Sequence, residues 1–381
     1  MAPYNPRLSL WEKLDLSFRM LTVVPLTVIF NLVRGLPSGR ARGMNLKFVA
    51  ISLFFRVSLG SLRPRYLQSV SPGTIAQYKL WVAAKRKELA AQNPVMAKRL
   101  REDIEPIPGA DGASILWMGN RERASKFVVF FHGGGYIAGA TRGHFEWCWR
   151  CYVAGGPGEK GDVAVAVVQY TLCPQEIYPG QLRQVCAGLS MVLDRGISPS
   201  NIIFGGDSAG GNLTSQVIRH IVEPHPGIQP ITLEEPIAGA FMVSPLVDGR
   251  VDSRSYQENA TVDMISAALC LNTSVEMLQP KNLGMTMKEM RGLAFPMEGD
   301  YTWMTRINSV VKSLYITAGK QEVFADHIVQ FAELVRRQCP ELQIRFEMAQ
   351  REAHDFIILE GILGEGFDAT KRMQVWASEV L

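Results

Sequence analysis

Residues Ile202–Leu213 read IIFGGDSAGGNL, and this stretch decides the fold of the chain. A short apolar run ends at Phe204, a glycine-rich turn carries Ser208, and a helical pattern follows. A turn of the form G-x-S-x-G between a strand and a helix exposes the serine hydroxyl above the end of the strand. The positions two before and two after that serine have no room for a side chain, and Gly206 and Gly210 occupy them. The pattern predicts that Ser208 is a nucleophile.

A second glycine-rich turn lies upstream, where residues 128–136 read VVFFHGGGY. Successive glycines after a buried strand let the backbone approach a substrate carbonyl and direct N–H groups at it. We expect an oxyanion hole made by the N–H groups of Gly133 and Gly134, with Ala209 at the helix start as third donor. A phosphate-binding loop is disfavoured because no Lys-Ser/Thr pair follows. His132 is expected to hold the loop rather than to act as the base.

A serine nucleophile needs a base and an acid that orients the base. His354 is the expected base, because it follows the last predicted strand in a loop and completes the chain order serine, acid, histidine. Two acids remain open. Glu322 is preferred because it lies in the loop just past the preceding strand, where it would fix the His354 tautomer and stabilise the imidazolium. Asp326 lies about one helical turn later and is the alternative.

The rest of the chain alternates between short apolar runs and helical patterns. The runs lie at Phe127–Phe131, Val163–Val168, Ile202–Phe204, Gly239–Val243, Ser313–Ile316 and Ile344–Phe346. Helical patterns lie at Gly180–Leu193, Gly210–Val222, Val323–Arg337 and Gly366–Glu379, and a charged helix is predicted over 76–103. This alternation predicts an α/β fold with a mostly parallel sheet flanked by helices. The catalytic domain is expected over 104–381, with a helical cap insertion at about 250–308.

The N-terminal part, residues 1–103, is expected to contribute to the cap or to contact a membrane. Residues 1–65 hold ten basic and two acidic side chains, together with the apolar runs Leu21–Val33 and Phe48–Phe55. Neither run reaches the ~18 to 20 apolar residues of a spanning helix, and Pro25 and Asn31 interrupt the first. Packing against the protein and contact with a membrane surface both remain open. The location is therefore expected to be cytoplasmic or membrane-associated.

Composition excludes several classes of protein. The 381 residues carry a net charge of +4 with 47% hydrophobic residues, which argues against disorder and against nucleic acid as a partner. Six cysteines in so long a chain are not a disulfide scaffold, and the single CxxC at Cys148 and Cys151 is weak evidence for a metal. We expect neither a metal nor another cofactor. The sequence says nothing of the oligomeric state.

Taken together, the motifs resemble the hormone-sensitive-lipase-like branch of the α/β-hydrolases, which includes fungal acetylesterases and steryl acetyl hydrolases. The resemblance runs over about 104–381 and rests on HGGG at 132–135, YTLCP at 170–174, GDSAG at 206–210, Ser244-Pro245, Glu322 and HDF at 354–356. It implies the roles assigned above and a cap built from the N-terminal segment and the insertion. Glu322 departs from the family pattern, in which Asp is commoner.

The expected activity is hydrolysis of a carboxylic ester through an acyl-enzyme intermediate. A hydrophobic substrate, such as an acylated lipid, sterol or polyketide, is suggested by apolar residues of the insertion: Met264, Leu269, Leu271, Met277 and Leu278. The alternatives are an acyltransferase, lactonase, amidase or cyclising enzyme of a biosynthetic pathway that uses the same three residues. A small-molecule receptor and a membrane-docked scaffold are further alternatives.

Overall fold

A computed structural model of the chain describes residues 6–155, 162–279, 284–364 and 366–381. Its centre is an eight-stranded sheet in the order β1-β2-β4-β3-β5-β6-β7-β8. The strands are β1 (Ile104–Pro106), β2 (Ser114–Met118), β3 (Lys126–Phe131), β4 (Val163–Gln169), β5 (Ile202–Asp207), β6 (Ile237–Val243), β7 (Val311–Gly319) and β8 (Gln343–Ala349). Neighbours from β4 to β8 are parallel, whereas β1 with β2 and β2 with β4 are antiparallel. The predicted α/β fold with a mostly parallel sheet is confirmed. The antiparallel strands β1 and β2 were not predicted, and they extend one edge of the sheet.

Helices precede, follow and connect these strands. They are α1 (Leu10–Phe18), α2 (Val24–Ala41), α3 (Leu46–Ser61), α4 (Pro64–Val70), α5 (Thr74–Gln92), α6 (Pro94–Arg99), α7 (Arg142–Cys148), α8 (Gly180–Leu193), α9 (Ala209–Val222), α10 (Arg254–Glu258), α11 (Ala267–Met277), α12 (Met287–Ala294), α13 (Ala325–Gln338), α14 (Phe356–Leu363) and α15 (Asp368–Val380). The helix predicted over 76–103 is divided into α5 and α6, because Pro94 cannot donate the hydrogen bond that would continue α5.

The sheet has an apolar layer on each face. Val129 and Phe131 of β3 belong to one buried cluster, which also contains side chains of α8, α9 and α13. Val128 and Phe130 belong to a second cluster, which contains side chains of α5, α7 and α15. Because successive side chains of a strand point to opposite faces, a run without polar alternation needs helices on both sides. Because helices cover both faces of the sheet, a functional site is expected beyond the carboxyl ends of the strands.

The N-terminal segment differs from its prediction. A π-helical turn, Arg19–Val23, joins α1 to α2, so that the chain is helical from Leu10 to Ala41. The π-helical turn ends at Val23, and Pro25 lies in the first turn of α2, where a missing N–H is tolerated, so the proline does not interrupt the helix. The 32-residue helix has a mean hydropathy of 1.8 in its most apolar window, of which 6% is buried. By length and composition, the expectation that this region is too short to span a membrane is therefore wrong. Within the described ranges, this is the one helix that is long and apolar enough to do so.

The two apolar runs of the segment have different surroundings. Phe48, Val49 and Leu53 of the second run are buried in α3, which confirms the packing alternative for that run. Large side chains of the N-terminal helix remain exposed: Leu10, Trp11, Leu14, Phe18, Met20, Leu21, Leu26, Ile29, Phe30 and Val33. The packing alternative is therefore wrong for the outer face of the first run.

Residues 250–308 contain α10, α11, α12 and all but the last residue of a 3-10 helix, Thr302–Ser309, and the part of this interval that the structure describes contains no strand. The interval is held to the N-terminal segment by two arginines. Arg56 of α3 donates to the carbonyl oxygens of Asp263 and Ile265, at 3.0 Å each. Arg42, just after α2, donates to Asn259 Oδ1 at 2.8 Å. The two segments are therefore joined near the active-site end of the sheet.

Candidate active site

The turn between β5 and α9 has the strained geometry that its sequence predicts. Ser208 has φ 50° and ψ −112°, which is unusual for a residue with a side chain. A Cβ atom on Gly206 or Gly210 would collide with the carbonyl oxygen of Phe131 at the end of β3. Both glycines are therefore required by the close approach of two neighbouring strand ends. The turn presents the hydroxyl of Ser208 above the sheet.

The three residues expected to act together are hydrogen-bonded in sequence. His354 Nε2 lies 2.9 Å from Ser208 Oγ, and His354 Nδ1 lies 3.1 Å from Glu322 Oε2. The second carboxylate oxygen of Glu322 accepts the N–H of Gly319 at 3.2 Å. Because an ionised carboxylate only accepts, Nδ1 carries a proton, and Nε2 is the ring nitrogen that faces the serine hydroxyl. All three side chains are buried. The arrangement is that of a nucleophile, a base and an orienting acid.

Asp326 has a different environment. Its Oδ2 accepts the N–H of Ser255 at 2.8 Å, and Ser255 Oγ donates to the carbonyl oxygen of Val323 at 2.6 Å. Asp326 thus holds α10 against the start of α13. The geometry favours Glu322 over Asp326 as the partner of His354.

The expected set of oxyanion donors requires one correction. The N–H of Gly133 donates to Asp207 Oδ1 at 2.9 Å, so it is not available to a substrate oxygen. Gly134 and Gly135 line the cavity beside Ser208, and within the described ranges neither N–H has a hydrogen-bond acceptor. The N–H of Ala209, at the first position of α9, has no acceptor within its helix. The geometry therefore replaces Gly133 with Gly135 and retains Gly134 and Ala209.

Asp207 and His144 position the glycine-rich loop. Asp207 is fully buried and accepts from both Gly133 and His144 Nε2, the latter at 3.1 Å. Burial alone would raise the pKa of Asp207, but His144 and the N–H of Gly133 outweigh burial and lower it. His132 stacks on Tyr170 with 4.4 Å between ring centroids. Burial lowers the pKa of His132 to about 4, so it is neutral at pH 7 and holds the loop, as the sequence indicates.

Two buried aspartates near the base were given no role by the sequence patterns, although Asp355 lies in the HDF motif. Asp263, in the insertion, accepts the N–H groups of Val323 at 2.5 Å and His354 at 3.4 Å, and so connects the loops of the acid and the base. Burial raises the pKa of Asp263 to about 6. The other is Asp355, whose Oδ2 lies 3.4 Å from His354 Nε2. Burial and the neighbouring carboxylates raise the pKa of Asp355 well above its ordinary value.

A cavity of about 1070 Å³ reaches Ser208 and His354. The N-terminal segment contributes to its wall Met20, Val24, Phe54, Phe55 and Leu59. Of the apolar insertion residues singled out in the sequence, Met264 and Leu269 line the cavity, Met277 and Leu278 are buried in the core, and Leu271 is exposed. The cavity therefore combines apolar surface from both segments with the polar groups at the strand ends.

Known proteins resemble this chain in sequence and in fold. A family model described as the α/β hydrolase fold matches residues 128–358. The putative acetyl-hydrolase LipR of Mycobacterium tuberculosis is 25% identical over 244 residues, which cover 64% of this chain and 69% of LipR. Arylacetamide deacetylase of Bos taurus is 29% identical over 148 residues, 37% of this chain and 35% of the relative, so this likeness spans about a third of either protein.

The solved structures agree on the fold. An esterase of the bacterial hormone-sensitive lipase family superposes with a TM-score of 0.55 at 20% identity, covering 86% of this chain and 95% of the esterase. The family match extends from β3 to α14 and includes the turn of Ser208 and the loops of Glu322 and His354. The chain therefore belongs to the α/β-hydrolase family, and the resemblance drawn from its motifs is confirmed.

Proposed function

We propose that this protein is a carboxylic ester hydrolase that forms its acyl-enzyme on Ser208. The observation that carries the proposal is the continuous hydrogen-bonded series from Ser208 through His354 to Glu322 at the end of a large apolar cavity. The relatives bear the names of ester and amide hydrolases, which favours transfer of the acyl group to water over transfer to another acceptor.

The reaction proceeds in two steps. Ser208 Oγ attacks the ester carbonyl carbon while His354 Nε2 takes the hydroxyl proton, and Glu322 stabilises the imidazolium through Nδ1. The N–H groups of Gly134, Gly135 and Ala209 hold the oxyanion, each worth about 3 kcal/mol in the transition state. His354 then protonates the leaving alcohol as the tetrahedral intermediate collapses. In the second step a water gives its proton to Nε2 and attacks the acyl carbon. The bond from that carbon to Ser208 Oγ then breaks, Nε2 returns the proton to Oγ, and the carboxylic acid leaves.

The substrate is a hydrophobic ester. The cavity is large enough for a ligand of drug or lipid size, and much of its wall is apolar. Side chains from α3, such as Phe54 and Phe55, and from the insertion, such as Met264 and Leu269, give it this character. Burial of each methylene of an acyl chain would contribute about 0.8 kcal/mol to binding.

A panel of p-nitrophenyl esters of increasing acyl length tests both statements. We expect kcat/KM to rise with acyl length before it falls, and Ser208→Ala to abolish turnover at every length. Mass spectrometry should find one phosphonate adduct on the wild type after treatment with a fluorophosphonate, and none on Ser208→Ala. Wild-type protein that neither turns over any ester nor takes up the phosphonate would reject the proposed function.

We further propose that the N-terminal helix contacts a membrane surface. The contact would be made by its outer face, which consists of the exposed apolar side chains between Leu10 and Val33. Exposed apolar side chains recur along Leu10–Val33, with Trp11 80% and Leu21 79% exposed. Exposed basic side chains, among them Lys13, Arg34 and Arg40, lie on the same helix. An apolar face flanked by basic residues suits the headgroup region of an anionic membrane.

Contacts along the opposite face support a helix that lies on the membrane rather than one that crosses it alone. Arg19 donates to the carbonyl oxygen of Ser61 at 3.2 Å, and the hydroxyls of Ser38 and Thr261 lie 3.1 Å apart. Gly35 packs so closely that a Cβ atom would collide with Leu53. Because Met20 and Val24 of the same helix line the cavity, this docking would place the active-site entrance near the lipid.

Flotation with phosphatidylcholine vesicles, with and without phosphatidylserine, tests this docking. We expect the full chain to float with the anionic vesicles, less so at high salt, and the double variant Leu26→Ser/Phe30→Ser to remain in the soluble fraction. Leu80→Ser is the matched control, because Leu80 is exposed on α5, outside the N-terminal helix. Failure of the wild-type chain to bind either vesicle would reject membrane contact without affecting the proposed hydrolysis.

A further inference from the structure

The base has two neighbours at the nitrogen that must accept the serine proton. His354 Nε2 lies 2.9 Å from Ser208 Oγ and 3.4 Å from Asp355 Oδ2. Nδ1 is committed to Glu322, so Nε2 has one lone pair for both neighbours. The proposed reaction uses Ser208 and Glu322 and assigns no task to Asp355. Asp355 is also among the residues that line the cavity.

The backbone conformation and the surroundings of Asp355 are both unfavourable for an ionised side chain beside His354. Its backbone is left-handed, with φ 53° and ψ 31°, and its N–H donates to Ser244 Oγ at 3.3 Å. Asp355 Oδ1 is buried, and within the described residues it has no hydrogen-bond partner. A carboxylate oxygen without a donor is costly in such a site. A proton held at Oδ2 and shared with the neighbouring imidazole would reduce the negative charge on Oδ1 and so lower that cost.

We propose that Asp355 and His354 hold one proton between them in the resting enzyme, and that this proton must leave before Ser208 can be activated. The proposal rests on the hydrolysis proposed above and adds an acid–base partner to it. In the resting pair the proton lies between Nε2 and Oδ2, and Nε2 cannot accept from the serine. Loss of that proton to solvent leaves a neutral imidazole and an ionised Asp355. The hydroxyl proton of Ser208 then transfers to Nε2, where the carboxylate of Asp355 stabilises the new imidazolium.

Other charged groups facing the pair act in the same direction. Glu322, from the loop after β7, and Asp263, from the insertion, both favour a protonated imidazole. Burial on its own lowers the pKa of His354, but Asp355, Glu322 and Asp263 together outweigh burial and raise it.

Two basic side chains lie beside the more distant carboxyl groups. Arg56 faces Asp263, and His144 is bonded to Asp207, the carboxylate beside the nucleophile. Asp207 favours the protonated form of Asp355. Among the described residues, Asp355 is the carboxylate within ion-pair distance of Nε2, and its substitution should therefore change the protonation of the base most directly.

The pH profile of kcat/KM tests the proposal. The variant Asp355→Asn keeps the shape of the side chain and tolerates the left-handed backbone. We expect its acidic limb to move to lower pH by about one unit or more, because the imidazole then loses its proton more readily. The pH-independent plateau should fall severalfold, because the imidazolium loses a partner. Glu352→Gln is the matched control: Glu352 lies in the same loop, between β8 and α14, and burial raises its pKa to about 7, but no contact joins its side chain to His354 within the described residues. Its limb should stay in place.

A titration of the His354 ring by NMR measures the same proton without any substrate. The ring signal, assigned by its loss in His354→Ala, should titrate at lower pH in Asp355→Asn than in the wild type. Asp355→Gly, which also suits the left-handed backbone, serves if the asparagine variant does not fold. An unmoved ring titration, or a kinetic limb that moves equally in Glu352→Gln, would overturn the proposal. Absence of ester turnover would reject only the hydrolysis, since the ring titration does not depend on it.

Discussion

The site and the outer face of the N-terminal helix differ in what their side chains contact. At the site, Ser208, His354 and Glu322 are buried and each reactive polar atom has a partner at about hydrogen-bond distance. On the outer face, large apolar side chains such as Trp11 and Leu21 are mostly exposed. Sequence patterns point to the residues of both regions. The motifs of the site predict which side chains contact one another, whereas the apolar run of the helix predicts only that its side chains are apolar.

This difference has an energetic consequence. A change to a buried group with a specific partner removes that interaction and leaves the partner unsatisfied. A change to an exposed apolar side chain removes little from the stability of the protein in water, and its effect appears only when a partner covers the surface. Substitutions in the two regions should therefore produce effects of different size and different kind.

The largest effect is expected at Glu322. Glu322→Gln should lower kcat by about 10³- to 10⁴-fold, because the amide does not stabilise the imidazolium and favours the wrong tautomer of His354. Steady-state kinetics on the best p-nitrophenyl ester measures this loss.

Asp326→Asn is the matched control for that measurement. It removes a carboxylate that accepts from Ser255 and does not reach His354, so kcat should change by no more than a few fold, although stability should fall by about 1 kcal/mol. If Asp326→Asn instead lost the larger activity, the acid would be misassigned.

A pair of leucine truncations compares the two apolar runs directly. Leu53→Ala, in α3, should lower the free energy of unfolding by about 2–5 kcal/mol, because Leu53 is 1% exposed and its loss leaves a cavity. Leu26→Ala, in α2, should change it by no more than about 0.5 kcal/mol, because Leu26 is 68% exposed. Urea denaturation without lipid measures both. Equal losses would mean that the outer face of α2 is covered in solution.

The last prediction concerns the pH dependence of stability, which changes gradually over several pH units. The folded-state pKa of Asp263 is raised to about 6 by burial, so the folded protein binds its proton more tightly than the unfolded chain. The contribution of this group to stability is therefore greatest below about pH 4 and is lost as the pH rises through 6, by roughly 3 kcal/mol at most. The stability of the wild type minus that of Asp263→Asn should fall between pH 4 and 7. A difference that stays constant over this range would contradict the raised pKa.

Several features of the site were predictable because they are local. The turn around Ser208 is specified by glycines at fixed offsets, and His354 and Glu322 follow strands whose carboxyl ends must meet at one edge of a parallel sheet. Gly133 shows the limit of that reasoning. The triple glycine indicates a loop of backbone donors, but which N–H faces the cavity depends on Asp207, which reaches Gly133 from another strand end.

The residues that were not predicted act through distant contacts. Asp263 is 91 residues from His354 in sequence, and nothing in its neighbourhood distinguishes it from a surface carboxylate until the insertion folds over the site. Pro25 predicts an interruption of the first apolar run, but the helix continues through it from the π-helical turn into α2. Such outcomes depend on packing between segments, which a local pattern does not describe.

The sequence by itself determined the alternation of strands and helices, the mostly parallel sheet, and the serine and histidine that belong together, and it left the acid open between Glu322 and Asp326. It could do so because strand periodicity and a sterically restricted turn are properties of neighbouring residues. Only the tertiary structure decided which glycine N–H faces the cavity, which carboxylates surround the base and which apolar run stays exposed. Those outcomes depend on burial and on distances between remote segments, which arise only when the chain is folded.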